Sequence, residues 1–326
     1  MPNGICDVTL LIDNGKISMI VDGTSDQFDC PVEELGDLVL MPGVIDTHVH
    51  INEPGRADWE GFDTAAKAAA AGGITTLVDM PLNSSPVTNS AEAFKTKLLA
   101  SEGKLHVNCG FWGGVVPANA HLLDTLIESG VLGIKAFLID SGLDEFSCVT
   151  EKDLSRAMKT IAGYRVPLLV HAELFNASSP KMSGISDYPE FLASRPKEME
   201  DRAVKMMMQL CRKYQCAVHI VHLSSSGSLK IIEAAKKEGI PLTVETCPHY
   251  LYFSSENIAP HDTRFKCTPP IRESANNELL WLALKSGLVD LVVSDHSPAP
   301  PDLKCLDSGD FSKAWGGISS LQFSMP

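Results

Sequence analysis

Short apolar runs alternate with segments of helical period along most of the chain, starting at Leu38. Runs of this kind are typical of buried strands, and the segments between them are typical of amphipathic helices. Eight strands are predicted, over residues 38–46, 74–80, 105–111, 133–138, 167–171, 217–223, 241–246 and 288–295. Helices are predicted between them, for example over residues 63–71, 92–101, 121–129, 154–162, 203–214, 229–238 and 277–286.

This alternation predicts βα units around a parallel sheet, and therefore an α/β fold. Eight strands with intervening helices over about 250 residues favour a (β/α)8 TIM barrel. An open, doubly wound sheet is the alternative architecture. Sheets of that kind that bind nucleotides carry a glycine-rich turn after the first strand, and no such turn follows residues 38–46.

The chain before the barrel predicts a β-hairpin. Two short strand-like runs, residues 8–11 and 16–21, flank the turn Asn14-Gly15. An Asn-Gly pair favours the positive φ angles that a tight hairpin turn requires. Residues 1–37 are therefore expected to form a small β appendage, an incomplete β-sandwich.

The barrel is expected to occupy residues 38–326 and to end at or within its last helix. One connection, residues 174–200, is longer than most loops in compact domains. We expect it to form a lid or an active-site loop.

Composition narrows the classes of function. The chain has 326 residues, of which 44% are hydrophobic, and 41 acidic against 27 basic side chains give a formal charge of −14. This balance argues against binding to nucleic acid or to an anionic membrane and favours a small-molecule substrate. The nine cysteines form no CxxC pair, which indicates a reducing compartment. We expect an intracellular, soluble protein, in the cytoplasm or in an organelle such as the peroxisome or mitochondrion.

Metal-binding side chains recur where predicted strands end. Four histidines, a lysine and an aspartate occupy such positions: His48, His50, Lys135, His171, His222 and Asp295. Strand ends of a barrel converge at one mouth, and imidazole and carboxylate are good ligands for zinc and similar ions. The pattern therefore predicts a site for two divalent ions. His219 lies an odd number of positions before His222, so we expect it on the other strand face in a structural role.

The motifs around these residues resemble those of the cyclic amidohydrolases, in the metal-dependent amidohydrolase superfamily. They are PGVIDTHVH at 42–50, GIKAF at 133–137, ETCPHYL at 245–251 and SDHSP at 294–298. The resemblance covers nearly the whole chain from Asp7. Relatives usually begin with another strand and continue well past Pro326, so the C-terminal part of the barrel protein is expected to be truncated.

The resemblance implies two zinc ions, although other divalent metals would suit the same ligands. Their implied ligands are His48, His50 and Asp295 for one ion, and His171 and His222 for the other. Lys135 is implied to be carboxylated on its amine and to bridge both ions. That modification would explain a lysine in an apolar strand, where an ammonium without a partner is costly. The resemblance also implies a homo-oligomer, a homotetramer in many relatives.

Within this family, the segments HINEPGR at 50–56 and AWGGI at 314–318 resemble the allantoinases. Dihydroorotases carry an arginine two positions after the second histidine, and this chain has Asn52 there. An amide does not match a substrate carboxylate as an arginine fork does, so a neutral hydantoin ring fits better. The resemblance implies hydrolysis of (S)-allantoin to allantoate in purine breakdown. A dihydropyrimidinase- or dihydroorotase-like enzyme, an inactive truncated form and a non-enzymatic assembly protein are the alternatives.

Asp295 is expected to act as general base and then general acid. The metal pair would lower the pKa of a water, and Asp295 would take its proton and deliver it to the leaving ring nitrogen. Substrate contacts are expected from polar side chains and turns at the barrel mouth: Asn52, Asn83, Ser297 and Pro269. Asn83 could equally cap a turn.

Overall fold

The computed structural model describes residues 4–23, 28–175 and 184–325, and the chain divides into two compact units, Met1–Gly43 and Val44–Pro326. The first unit contains an antiparallel pair of strands, β1 (Val8–Asp13) and β2 (Lys16–Asp22). Asn14 and Gly15 connect them with φ angles of 49° and 73°. Both angles are positive, as a type I′ turn requires. The structure thus contains the hairpin that the sequence predicts.

The second unit is built on parallel strands that follow one another around a barrel. They are β3 (Val44–Val49), β4 (Ile74–Asp79), β5 (Asn108–Phe111), β6 (Gly113–Gly114), β7 (Ile134–Phe137), β8 (Leu168–His171), β9 (Val218–Ile220), β10 (Leu242–Thr246) and β11 (Leu291–Val292). Each pairs in parallel with its neighbour in sequence, except that β5 and β6 are two parts of one barrel strand. At Trp112, between them, pairing passes from β4 to β7. Eight barrel strands result, as predicted.

The barrel closes between its first and last strands. Val49 of β3 and His296, four residues after β11, form a parallel bridge. The amide of His50 donates to the carbonyl of His296 at 2.8 Å. The (β/α)8 fold expected from the sequence is confirmed.

Helices cover the outside of the barrel. They are α1 (Phe62–Ala71), α2 (Ala91–Ser101), α3 (Leu123–Glu128), α4 (Glu151–Tyr164), α5 (Tyr188–Ser194), α6 (Lys197–Tyr214), α7 (Leu229–Lys237), α8 (Pro248–Tyr252) and α9 (Ser274–Lys285). Buried residues of α6, such as Ala203, Met207 and Cys211, recur at helical spacing and pack into the main core. Among the described residues, no helix is both long and apolar enough to cross a bilayer.

Two predicted segments differ from the structure. The first barrel strand is Val44–Val49 rather than 38–46, and Leu38 and Met41 are exposed. Pro42 lacks the amide that a central strand must donate, so pairing begins only after it. The connection 174–200, expected to be a loop, contains α5 and the first turn of α6; its residues 176–183 lie outside the described part of the chain.

Candidate metal centre

The ends of five barrel strands bring the six predicted metal ligands to one cavity. The cavity has a volume of about 60 Å³, and its walls include His48, His50, Lys135, His171, His222 and Asp295. Five of these residues are less than 9% exposed, and the side chain of Asp295 is 12% exposed. The structure therefore brings these six residues together, as the pattern of strand ends predicted.

One half of the cluster joins the first and last strands of the barrel. Nε2 of His48 lies 3.0 Å from Oδ1 of Asp295, and Nε2 of His50 lies 3.4 Å from the same oxygen. One nitrogen from each ring and one carboxylate oxygen all lie within 4.8 Å of one another. Two imidazoles and a carboxylate at this spacing are a suitable donor set for a divalent cation.

The other half contains His171 and His222, whose ring centroids are 4.6 Å apart. Nε2 of His171 lies 2.7 Å from Oε2 of Glu173, which leaves Nδ1 as its free ligand atom. The ring of His171 also stacks on Phe137 with centroids 4.5 Å apart. Arg195 donates to Glu173 at 2.6 Å, so the orientation of His171 is fixed from two sides.

Lys135 of β7 lines the same cavity as both halves and is fully buried. Its Nζ has no hydrogen-bond partner in the described part of the chain, and the face of Phe137 lies 5.1 Å away. Burial lowers the pKa of Lys135 to about 8, against the opposing charges of Glu245 and Asp295. A buried amine without a partner is unfavourable, so its position fits a group that acquires a partner only when the site is loaded.

Several ionisable groups of the cluster influence one another. Burial lowers the pKa of His48, but the negative charges of Asp295 and Glu245 outweigh it and raise the pKa to about 9. Burial lowers the pKa of His50 to about 4, although Asp295 opposes the change. Two carboxylates, Glu245 and Asp295, thus flank the ring of His48, and a bound cation would compensate their negative charge.

The backbone next to the cluster is unusual at two positions. His222 and Asp295 have φ angles of 39° and 47°, in the left-handed region that such residues seldom adopt. Asp46 contributes to this arrangement, because its carboxylate accepts from the amides of His48 at 3.0 Å and Ser294 at 3.1 Å. Strained positions of this kind concentrate at functional sites.

Sequence reasoning did not identify the carboxylates that orient the histidines. Glu245 of β10 faces Nδ1 of His48, and its other oxygen lies 2.9 Å from Nε2 of His219. His219 thus lies between Thr243 and Glu245, and the carboxylate of Glu245 links it to the metal cluster. A carboxylate inside the apolar run LTVET was an available signal, as was Glu173 two residues after His171.

Of the four residues predicted to contact substrate, two lie on the cavity wall and two do not. Asn83 and Ser297 line the cavity, with Nδ2 and Oγ 3.5 Å apart. Asn52 is buried, and its Nδ2 lies 3.5 Å from the carbonyl of Pro298 rather than on the cavity wall. The carbonyl of Pro269 accepts from the Tyr250 hydroxyl at 2.6 Å. Further wall residues are Leu82, Phe137, Ser141, Cys267, Thr268 and the segment 315–317, which belongs to the AWGGI motif.

Two lysines hold the wall segment at Trp315. Lys304 donates to the carbonyl of Trp315 at 3.1 Å and to that of Gly317, and Lys266 donates to the carbonyl of Ala314. The amide of Gly317 donates back to the carbonyl of Lys266 at 2.8 Å. The loop over the cavity is thus attached through its backbone, which leaves the indole of Trp315 to face the site.

The chain is similar in sequence to known hydrolases. The model of the amidohydrolase family matches residues 39–296. The chain is 52% identical to the mitochondrial allantoinase of Aquarana catesbeiana, 48% to the allantoinase of Streptomyces avermitilis and 46% to that of Arabidopsis thaliana. These alignments cover 99–100% of the chain and 67%, 73% and 68% of the three relatives, so the chain spans about two thirds of their length.

Two solved structures of cyclic-amide hydrolases are similar to this chain in fold. The L-hydantoinase (dihydropyrimidinase) of Arthrobacter aurescens superposes with a TM-score of 0.89 at 29% identity, over 98% of this chain and 72% of that one. The dihydropyrimidinase of Brevibacillus agri gives a TM-score of 0.86 at 27% identity, over 97% of this chain and 70% of that one.

Proposed function

The chain belongs to the amidohydrolase family, and from that premise we propose that it is an allantoinase, which hydrolyses the hydantoin ring of (S)-allantoin to allantoate. In this reaction water adds to a ring carbonyl carbon, the bond from that carbon to the ring nitrogen breaks, and the nitrogen gains a proton. The observation that carries the proposal is the meeting of four histidines, an aspartate and an unpaired buried lysine at one cavity.

The site would hold two divalent ions, of which zinc suits the donor set best. His48, His50 and Asp295 would hold one, and His171 and His222 the other. When bound, such ions polarise a carbonyl and lower the pKa of water. The donors fit, because the imidazoles are buried and several are already oriented by carboxylates, as metal-binding histidines are in general.

Lys135 would supply the remaining shared ligand after carboxylation. Its neutral amine would attack carbon dioxide, form an N–C bond and release one proton, giving a carbamate anion. The lowered pKa of Lys135, about 8, increases the fraction of neutral amine near neutral pH. The carbamate would replace the amine with an anionic group among four histidines. The side chain of Lys135 would then no longer be buried without a partner.

Asp295 would move the proton. Burial alone would raise its pKa, but the charge of His48 and the hydrogen bonds from His48 and His50 hold the pKa well below its ordinary value. The group is therefore a carboxylate that can accept a proton from the attacking water. Its partly exposed side chain reaches the cavity, so it can then deliver that proton to the ring nitrogen.

The cavity wall favours a neutral ring over a carboxylate substrate. Within the described part of the chain, Lys135 is the sole lysine or arginine on that wall. The amide of Asn83 and the hydroxyl of Ser297 offer hydrogen bonds to ring amides, and Phe137 and Trp315 offer flat apolar faces. A dihydroorotate carboxylate would find no arginine partner there.

A dihydropyrimidinase-like activity is the second candidate, because the solved structures with TM-scores of 0.89 and 0.86 include enzymes with that name. The purified chain, supplied with zinc and bicarbonate, should be tested on allantoin, dihydrouracil and dihydroorotate under one set of conditions. We expect selective turnover of allantoin. Selective turnover of dihydrouracil would replace the proposal with the second candidate. Folded, metal-loaded protein that opens none of these rings would refute both.

The proposal includes an intracellular homotetramer, on the strength of the family resemblance. Size-exclusion chromatography with light scattering tests the assembly, and a monomer at micromolar concentration would contradict that part alone.

A further inference from the structure

A second group of potential metal ligands lies beside the predicted centre and shares one residue with it. The group consists of Cys247, at the end of β10, His249, in α8, and Asp295. One ligand atom from each lies within 4.8 Å of the other two. Cys247 is fully buried and His249 is 4% exposed. A thiol, an imidazole and a carboxylate thus meet where one cation could contact all three.

His249 provides an independent sign of a ligand. Its Nε2 is buried and has no hydrogen-bond partner among the described residues, while its ring contacts Tyr250 with centroids 4.2 Å apart. Buried side-chain nitrogens are nearly always paired, so an unpaired one is unfavourable unless something binds it. The mechanism proposed above gives His249 no role.

The donor set defines the class of cation. Thiolate sulfur selects soft or borderline ions, and sulfur with imidazole and carboxylate suits Zn²⁺ and Cd²⁺. Metal–ligand bonds of about 2.0–2.3 Å require donor atoms roughly 3.5 Å apart in a tetrahedron, so small side-chain shifts suffice from 4.8 Å. Ca²⁺ and Mg²⁺, which prefer oxygen, would not be held here.

We propose that Cys247, His249 and Asp295 form an inhibitory site for one soft divalent cation, such as Cd²⁺ or excess Zn²⁺. Binding releases the thiol proton of Cys247 to solvent and forms a metal–sulfur bond. The cation engages the carboxylate of Asp295, which lies 3.0 and 3.4 Å from Nε2 of His48 and His50 and would be shared with the zinc ion proposed there. Inhibition of turnover rests on the proposed function, because the cation acts by removing Asp295 from proton transfer. Binding of the cation does not depend on that function.

Access to this site runs through the catalytic cavity. Asp295 lines that cavity, and so does Cys267, a second thiol. A thiophilic ion in the cavity can therefore contact Asp295, which is also a member of the proposed site.

The experiment titrates the zinc-loaded protein with CdCl₂ and follows the ultraviolet charge-transfer absorption of cadmium thiolate. Wild type is compared with C247A and with the control C211A. Cys211 is equally buried, but it lies in α6 and its Sγ donates to the carbonyl of Cys216 at 3.1 Å. The surface thiols contribute the same background to all three proteins. Zinc content is measured in parallel.

We expect wild type and C211A to bind one cadmium equivalent more than C247A does, with zinc retained. Any cadmium that C247A still binds at this site should be held with an affinity lowered by more than about 10-fold. A 10-fold loss is typical of changing a residue that only contacts a metal ligand. Cadmium should inhibit wild type and C211A but spare C247A over the same range. Because absorption needs no substrate, a protein without allantoinase activity would still test the binding site.

Equal cadmium absorption and inhibition in C247A and wild type would overturn the proposal, and so would release of zinc without a thiolate signal. H249N keeps the thiol and provides a second measurement if C247A fails to fold. The site predicts weaker cadmium binding in H249N, whereas unchanged binding would show that Cys247 acts without His249 and would also overturn it.

Discussion

Glu245 and His48 are both fully buried and face each other through the carboxylate and Nδ1. The same carboxylate pairs with His219 and accepts from the backbone amide of His222 at 3.2 Å. One side chain of β10 thus fixes the tautomer of a ligand in the first metal group and the backbone of a ligand in the second.

Replacing Glu245 with Gln should weaken metal binding without emptying the cavity. The amide can accept from one histidine but cannot accept from both, so His48 loses its fixed orientation. We expect about a 10- to 100-fold lower metal affinity, measured by metal content after dialysis against graded chelator. E233Q, an exposed change in α7 where Glu233 pairs with Lys237, is the control. Equal metal retention in both variants would refute this role.

Replacing Asp295 with Asn should separate proton transfer from metal binding. The amide keeps an oxygen ligand but cannot accept the proton of water. Turnover of allantoin should fall by about 10²- to 10⁴-fold, while zinc content stays close to that of wild type. Undiminished turnover would show that another group moves the proton.

Two buried lysines should respond in opposite ways to substitution by Met. Lys97 pairs with buried Asp79 and donates to Ser84 at 3.1 Å, so K97M leaves a buried carboxylate without its cationic partner. Its free energy of unfolding should fall by about 3–5 kcal/mol. K135M removes an amine that has no hydrogen-bond partner among the described residues, so metal-free K135M should be as stable as metal-free wild type or more stable. Urea denaturation of the metal-free proteins tests both; a large loss in K135M would contradict the structure.

Lys135 should carry one added CO₂ in the loaded protein. Mass spectrometry of the undenatured protein prepared with bicarbonate should show that increment, and acid should remove it because a carbamate loses CO₂ when protonated. K135M should lack the increment and hold less metal. A loaded wild type without the increment would refute the carboxylation.

Lys266 should make stability depend on alkaline pH. Burial lowers the pKa of Lys266 to about 8, and the charges of Arg195 and Lys304 add to this, against Asp310. Between pH 8 and 10.5 the unfolded chain keeps a proton that the folded protein has released. The free energy of unfolding should therefore rise with pH there, with a slope of up to about 1.36 kcal/mol per pH unit from this group. K266M should lose this contribution when denaturation curves are compared.

The sequence could predict the barrel and the grouping of the six candidate ligands at one cavity because both depend on local order. Each ligand ends an apolar run, and a parallel barrel brings strand ends together whatever the details of packing. The family prediction made from the same motifs is confirmed by the match over residues 39–296.

The rest of the site depends on contacts between distant strands. Glu245 meets His48 and Cys247 meets Asp295 only because of the register between strands, which no local pattern specifies. Asn52 illustrates the limit of alternation: in an unbroken strand it would point in the same direction as His48 and His50. The strand ends at Val49, and the amide of Ile51 donates to Asp79 at 2.7 Å, so the chain turns before Asn52.

Barrel closure and completion of the metal centre are a single event. The bridge between Val49 and His296 joins the same two strands that supply His48, His50 and Asp295. A partly folded chain, with its first strand paired to the second but its last strand free, would have no complete ligand set. A bound ion would therefore join the first and last strands, and its loss would weaken the contact at which the barrel closes.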